Sequence, residues 1–426
     1  MKNFSRNIIV AFISLTLTVI SCKIQQTTQS TRRLNLSFLY NPNVQTFKVD
    51  AIIHNTNDSI STVHCSIPLN NLFFLKYPEK ELASITVNYK LYLLKKTFAL
   101  YDSASFQRTI IKEDDKLNEY FTFNINTRDT GTYVLDLYIV DKNTNVPFRN
   151  YYNIERTKKY NDNDFLLINK KGIPYFKPWV TDTDTFYIKL REKLPAEWKF
   201  AWFPNTFKQC MPPYSITTNK DFIIPMPDSI RVKLISDSSC FVLSNKSILH
   251  IYRDSIGNGK TIFNFSNEYP SFVRPSELLQ PLRLMTTQKE FNELNTLKDK
   301  KEAVDRFWLN SAKNPDRARE LIKVFYTRVM YANKYFTSYT EGWKTDRGMI
   351  YIIYGIPTTL YKGPSVEQWI YGTPESNKVL IFNFIKNYHP FSNNHYILER
   401  NESYKISWLQ AVDTWRNGKI FSIINE

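Results

Sequence analysis

The sequence predicts a multidomain chain: two all-β, sandwich-like modules of the immunoglobulin or fibronectin kind, then an α+β module. Three observations predict it. Between residues 34 and 270, apolar residues recur at period two in short runs separated by turn residues. From about residue 275 the apolar spacing becomes helical. Glycine is scarce, 10 in 426 residues, yet Gly342, Gly348, Gly355, Gly363 and Gly372 fall together in 342–372, where the backbone must need special geometry.

The chain opens with a segment outside these modules. Lys2 and Arg6 precede an apolar run, 8–20, broken only by Ser14, Thr16 and Thr18. A bilayer-spanning helix needs roughly 20 apolar residues, so 1–21 reads as a cleaved signal peptide. Its end, Val19-Ile20-Ser21-Cys22, resembles the bacterial lipoprotein box. That resemblance implies a diacylglycerol thioether on Cys22, an acylated Cys22 amine, and several palmitate-like chains. Such chains anchor a protein stably to membrane at about 0.8 kcal/mol per buried methylene. Residues 22–33 are a polar tether with no core of their own. Lys23 follows the Cys and no acidic run comes after it. By resemblance to lipoprotein sorting, this implies the outer membrane, on its periplasmic face rather than its surface.

The remaining 405 residues (426 minus 21) are too many for one core. Net charge is +16, spread along the chain without a block of five or six like charges. This excludes nucleic acid as the partner and fits weak attraction to anionic membrane or polysaccharide. Cys65, Cys210 and Cys240 leave two options open, a Cys210–Cys240 bridge or buried free thiols. His389 and His395 read as loop residues, and the five histidines lack HxH or HExxH spacing. No metal and no cofactor is expected.

In the first β module, 34–150, strands are expected at 44–54, 59–67, 85–93, 120–125 and 131–140. Ile85, Val87, Tyr89, Leu91 and Leu93 share one face of the third. Residues 151–174 read as a solvated linker, with Asn161-Asp162-Asn163-Asp164 too incomplete for a calcium loop. The second β module, 175–272, should hold strands at 184–190, 230–236, 240–243, 247–253 and 260–265, with a hairpin at Gly257-Asn258-Gly259. Between the first two of these, Pro195, Trp198, Trp202, Pro204, Pro212, Pro213, Pro225 and Pro227 suggest a long aromatic loop. It is read either as a binding surface or as side chains packed on the sheet.

In the third module, 273–426, Thr287 and Glu290 form a capping box ahead of Phe291, Leu294, Leu297, Val304, Phe307 and Trp308. Asn314-Pro315 reads as the N-cap and first residue of a helix. Its stripe is Ala318, Leu321, Ile322, Phe325, Val329, Ala332 and Phe336, and it should end near Ser338. The turn Gly342-Trp343-Lys344-Thr345-Asp346-Arg347-Gly348 then runs into an apolar strand, 349–354. Further strands are expected at 367–371, 379–385 and 396–399. A closing helix carries Tyr404, Trp408, Ala411, Val412 and Trp415, with Gly418 just past its end.

Several of these motifs, in this order, resemble the GWxTD-domain family of bacterial proteins. They are Phe307-Trp308, Tyr326-Thr327-Arg328-Val329-Met330-Tyr331-Ala332-Asn333 with Phe336, the 342–348 turn, Gly355-Ile356-Pro357, and Glu367-Gln368-Trp369-Ile370-Tyr371. The resemblance spans roughly 290–400, and the lipid anchor and β-rich front half also resemble longer members. It implies no activity, so no catalytic residue can be carried over.

Two readings of the turn follow from its residue types. In the structural one, Gly342 takes a positive φ, Trp343 packs back on the helix, and Thr345 caps the turn. Asp346 accepts backbone N–H bonds or pairs with Arg347 or Arg328, and Gly348 permits close backbone approach. In the functional one the residues line a cleft. Asp346 is a general base or a polar anchor, and as a base it would be partnered by Glu341 or Glu367 in the manner of a glycosidase. Arg347 and Arg328 bind an anion, and Trp343 and Trp369 stack on a sugar. No phosphate loop or metal set accompanies them. The expected function is a binding or scaffolding component of the cell envelope, anchored to the outer membrane, with an envelope protein or polysaccharide as partner. The alternative is an anchored glycan or peptide hydrolase acting through Asp346.

Overall fold

The computed structural model describes residues 34–423 apart from 45–46, 95–97, 158, 192–196, 217–223, 236–238, 245, 364 and 374–378. The expected signal peptide (1–21), the expected lipidation site Cys22 and the expected tether (22–33) lie outside the described residues. No helix among the described residues is long and apolar enough to cross a membrane. From Leu36 on, the chain forms one unit of β-rich layers followed by a helical part, the class the sequence predicts.

The first sandwich packs two antiparallel sheets. One holds β1 (Asp50–Asn55), β2 (Ile60–Pro68) and β6 (Asn118–Asn126). The other holds β3 (Leu75–Tyr77), β4 (Lys80–Leu94), β5 (Phe98–Ile111), β7 (Gly131–Asp141) and β8 (Pro147–Arg156). The period-two face Ile85, Val87, Tyr89, Leu91 and Leu93 fills the core between them, with Leu135, Leu137 and Ile139 of β7. The expected linker is corrected here. Its first part belongs to β8, and Asn161 and Asp164 form a capping box around a single 3-10 turn. Asp164 is fully buried and accepts a hydrogen bond from Asn55 Nδ2 at 2.8 Å.

The second β part sets β9 (Phe165–Ile168), β10 (Phe186–Leu190) and β13 (Cys240–Phe241) against a second sheet. That sheet runs β12 (Ser229–Leu234), β11 (Glu197–Pro204), β14 (Ser247–Tyr252), β15 (Gly259–Asn264). β11 was expected as loop. Trp198, Phe200 and Trp202 alternate along it and put one aromatic face against the first sheet, the packing alternative of the two. Its other face, with Phe203, meets Phe391 of the third part at 4.8 Å between ring centroids. Cys65, Cys210 and Cys240 are all free, so the 210–240 bridge is not formed.

In the third part, α1 (Pro275–Leu279), α2 (Gln288–Thr296), α3 (Lys300–Ala312), α4 (Pro315–Phe336), α5 (Asp346–Tyr354) and α6 (Tyr404–Arg416) pack on an antiparallel sheet. Its strands, in order, are β16 (Thr359–Lys362), β17 (Val366–Tyr371), β18 (Leu380–Lys386) and β19 (Tyr396–Leu398). The expected caps at Thr287 and Asn314 form. Asp299 starts a new helix with its own side-chain cap, dividing what the spacing read as one stripe.

One expectation is overturned: residues 349–354 are helix, not strand. All nine residues of α5 are buried, so its apolar run has no polar face to reveal a period. Another correction concerns the N-terminal boundary. Leu36 and Tyr40, placed by the sequence in the first sandwich, lie in the core of the third part. Ser37–Tyr40 is a 3-10 turn there, and Leu36 N donates to Leu360 O at 2.8 Å.

Candidate functional site

The glycine-rich turn sits where α4 hands the chain to α5. Gly342 has no positive φ, contrary to expectation; what it supplies is room. A Cβ on Gly342 would stand 2.1 Å from the Ala332 carbonyl oxygen of α4, and one on Gly348 would stand 1.9 Å from the Gly342 carbonyl oxygen. Backbone thus lies directly on backbone at two successive points. Asn333, fully buried on α4, accepts from Trp343 N at 3.0 Å and donates to Pro270 O at 2.9 Å. Trp343 is buried, edge-to-face with Phe272. Thr345 is the N-cap of α5: its hydroxyl accepts from Gly348 N at 3.1 Å and donates to Gly342 O at 2.7 Å.

The two charged residues of the turn point to different partners. Asp346 accepts from Leu398 N at 2.8 Å and from both terminal nitrogens of Arg400, at 3.0 and 2.5 Å. It therefore ties α5 to the end of β19, and pairs with neither Arg347 nor Arg328. Arg347, 2% exposed, donates to Glu367 Oε1 at 3.0 Å and to the Asn394 carbonyl at 2.9 Å. Its guanidinium lies 4.0 Å from the Tyr396 ring centroid and 5.2 Å from that of Phe336.

Glu367, on β17, is wholly buried and takes four donors. They are Arg347, Tyr40 Oη at 3.1 Å, Trp369 Nε1 at 3.3 Å and Lys362 Nζ at 3.1 Å. Burial alone would push its carboxyl up. The Lys362 and Arg347 charges outweigh this and hold it down at about 2. Burial and the neighbouring Glu367 charge drive the Tyr40 hydroxyl far above its ordinary value. Burial acts to lower Arg347, but Glu367 more than reverses it. At neutral pH the group is a charged knot of two cations, one anion and a neutral phenol.

Arg328 and Trp369, named as cleft residues, do not line a cleft together. Arg328 Nη1 donates to the Ile352 and Ile353 carbonyls at 3.0 and 3.2 Å, satisfying the last turn of α5, and stacks on Trp415 at 5.1 Å. Burial lowers it to about 10. Trp369 is fully buried between Tyr40, Phe336 and Phe384. Glu341 pairs with Lys344 at 2.8 Å. The three carboxylates of the glycosidase reading, Asp346, Glu341 and Glu367, thus hold three separate sets of partners. Glu367 is fixed as an anion, without a proton to give.

Sequence reading missed Tyr40, Lys362, Asn394 and Arg400. Tyr40 is 327 residues from Glu367, so no local spacing could have joined them. Asn394 lies in the stretch read only as a loop between His389 and His395, although its side-chain amide donates to the carbonyls of Tyr335, in the last turn of α4, and of Thr337, just past it.

Fold and corner together define an α+β module braced by a buried ionic joint, carried behind two β layers. More particularly, residues 248–417 match the model of the GWxTD domain, so the chain contains a GWxTD domain. The match begins in β14, consistent with the sheet of β14 packing on this part through Phe203 and Phe391. No curated protein matches the chain.

Proposed function

We propose that the protein is an envelope lipoprotein that binds or scaffolds other envelope components. It is held through acyl chains on Cys22 at the periplasmic face of the outer membrane. The observation that carries the reading is the closed corner: Asp346, Arg347 and Glu367 are engaged with Arg400, Asn394, Lys362, Tyr40 and backbone. Groups held this way serve to join parts of the module, which leaves the outer faces of the β layers as the contact surfaces. The N-terminal signal and lipoprotein box support the anchor.

Crosslinking and pull-down of the full-length protein from membranes should recover a stoichiometric envelope partner. Repeated recovery of the protein alone would refute the reading. Mass spectrometry of the mature N-terminus should show an acylated Cys22. The competing hydrolase reading makes Asp346 an acid or base, and Asp346→Asn separates the two. Loss of stability without loss of any turnover on glycan and peptide panels fits a brace; a stable variant that loses a measurable turnover fits an enzyme.

A further inference from the structure

The edge of the second β sheet is unusual. β12 lies outermost in the order β12, β11, β14, β15, and no strand among the described residues pairs with its far side. All six of its residues are exposed. Ile230, Val232 and Leu234, at 51%, 56% and 59% exposure, form an aliphatic row on one face, opposite Ala201, Lys199 and Glu197 of β11. Arg231 and Lys233 occupy the other face, resting over the rings of Trp202 and Phe241 at 5.6 and 5.7 Å. The long strand β5 is also outermost in its sheet, but it presents Ser103, Ser105, Gln107 and Thr109 outward. β12 has no proline and no register break with β11 to blunt it.

The charges decide what can cover this edge. A second copy of β12 is a poor occupant. Directly opposed residues in an antiparallel ladder share a face, so matching the aliphatic rows forces an even register sum. Centring the pair on Val232 sets Arg231 against Lys233 twice. Centring on Arg231 sets that arginine against its own copy, centring on Lys233 does the same for the lysine, and centring on Ile230 or Leu234 overlaps too few residues to cover the aliphatic row. Like charges directly opposite destabilise a ladder. A strand with acidic residues at the alternate positions meets the same cations favourably and still covers the aliphatic row.

We propose that β12 is a docking edge for an extended segment of a partner protein, in which apolar residues alternate with Asp or Glu. The segment adds as a further strand: backbone hydrogen bonds along β12 give affinity, and the two faces give selection. This deepens the binding reading of the protein and rests on it, but does not depend on acylation of Cys22.

The test uses the full chain in detergent and a labelled strand-length peptide (about six residues) alternating valine with glutamate, followed by fluorescence anisotropy. Saturable binding is expected. It should weaken about tenfold or more, a loss of about 1.4 kcal/mol, when lysine replaces glutamate, when alternate peptide amides are N-methylated, or in Val232→Glu. Lys233→Glu should reduce or invert the preference for the acidic peptide. Thermal melting of both variants should match the parent chain, since both positions are exposed.

Absence of saturable binding at millimolar peptide, equal binding of the lysine peptide, or indifference to Val232→Glu would overturn the proposal. So would a dimer in sedimentation that Val232→Glu abolishes, which would make a second copy the occupant. A photo-crosslinker in cells separates failure here from failure of the wider reading. Adducts at exposed control positions such as Leu117 but none at 232 would reject this edge alone. No adduct anywhere would reject the binding function with it.

Discussion

Glu367→Gln removes one charge and little volume, and it should be among the most damaging single changes in the protein. In the folded state the carboxyl is held at about 2, against an ordinary value of 4.5. At 1.36 kcal/mol per unit, that difference stabilises the fold by about 3 kcal/mol. The contribution is complete above about pH 4.5 and is lost as pH falls towards 2. The structure gives a second route to the magnitude. The amide leaves Arg347, 2% exposed, without its counter-charge, whereas Lys362, 28% exposed, can turn to water. Breaking a buried pair from one side costs about 3–5 kcal/mol. Tyr40 and Trp369 can still donate to the amide oxygen, so the lower end, about 3 kcal/mol, is expected.

The assay is urea unfolding followed by tryptophan fluorescence, for both proteins, from pH 7 to pH 3. The gap between them should be widest at pH 7 and should narrow below pH 4.5. Buried histidines such as His54 and His64, held down at about 4, also weaken the fold as pH falls below 6.5, but they cancel in the difference. Arg347→Met combined with Glu367→Gln should cost less than the two changes summed, because neither charge is then left alone. A gap under about 1 kcal/mol at pH 7, or one that keeps its size down to pH 3, would refute the account of the joint.

Gly342→Ala and Gly348→Ala each push a Cβ into a backbone carbonyl, at 2.1 and 1.9 Å. Each should lower stability by about 3 kcal/mol, read as a fall in melting temperature; an unchanged melt would show that the turn can lift off α4 in the first case, or open between Gly342 and Gly348 in the second. Tyr40→Phe keeps the ring contacts but removes a donor from a buried anion. It should cost about 1.5–3 kcal/mol, and the loss should shrink when measured in the Glu367→Gln background. In the native protein Cys240, exposed, should be alkylated first. Cys65, whose thiol burial pushes up, should react only on unfolding, and non-reducing mass spectrometry should find no 210–240 bridge.

Local signals in the sequence were reliable guides to structure. Thr287 with Glu290, Asn314 before Pro315, and Gly418 after Trp415 each act within one helical turn, and each does what its chemistry predicts. Residues 349–354 misled because a helix buried on every side shows the same unbroken apolar run as a core strand. The better clue was Thr345, whose hydroxyl stands three residues ahead of Gly348 in the manner of an N-cap. Strand β11 was legible in the alternation of Trp198, Phe200 and Trp202, but surrounding prolines drew the reading towards loop. The corner could be named from residue types as a brace, yet its partners could not. Asp346 meets Arg400 and Glu367 meets Tyr40 across spans of sequence that no periodicity bridges.

The early docking of Leu36 and Tyr40 has a mechanical consequence. The described residues begin inside the module that ends them, with Leu36 on β16 and Tyr40 between Glu367 and the Tyr351 hydroxyl. A pull on the polypeptide ahead of Leu36 is therefore borne first by the last-synthesised part, while the first sandwich is shielded from the load. The same arrangement means that a fragment cut at residue 273 lacks the strip that closes its own interior. Translation must reach β17 before Tyr40 finds its seat on Glu367.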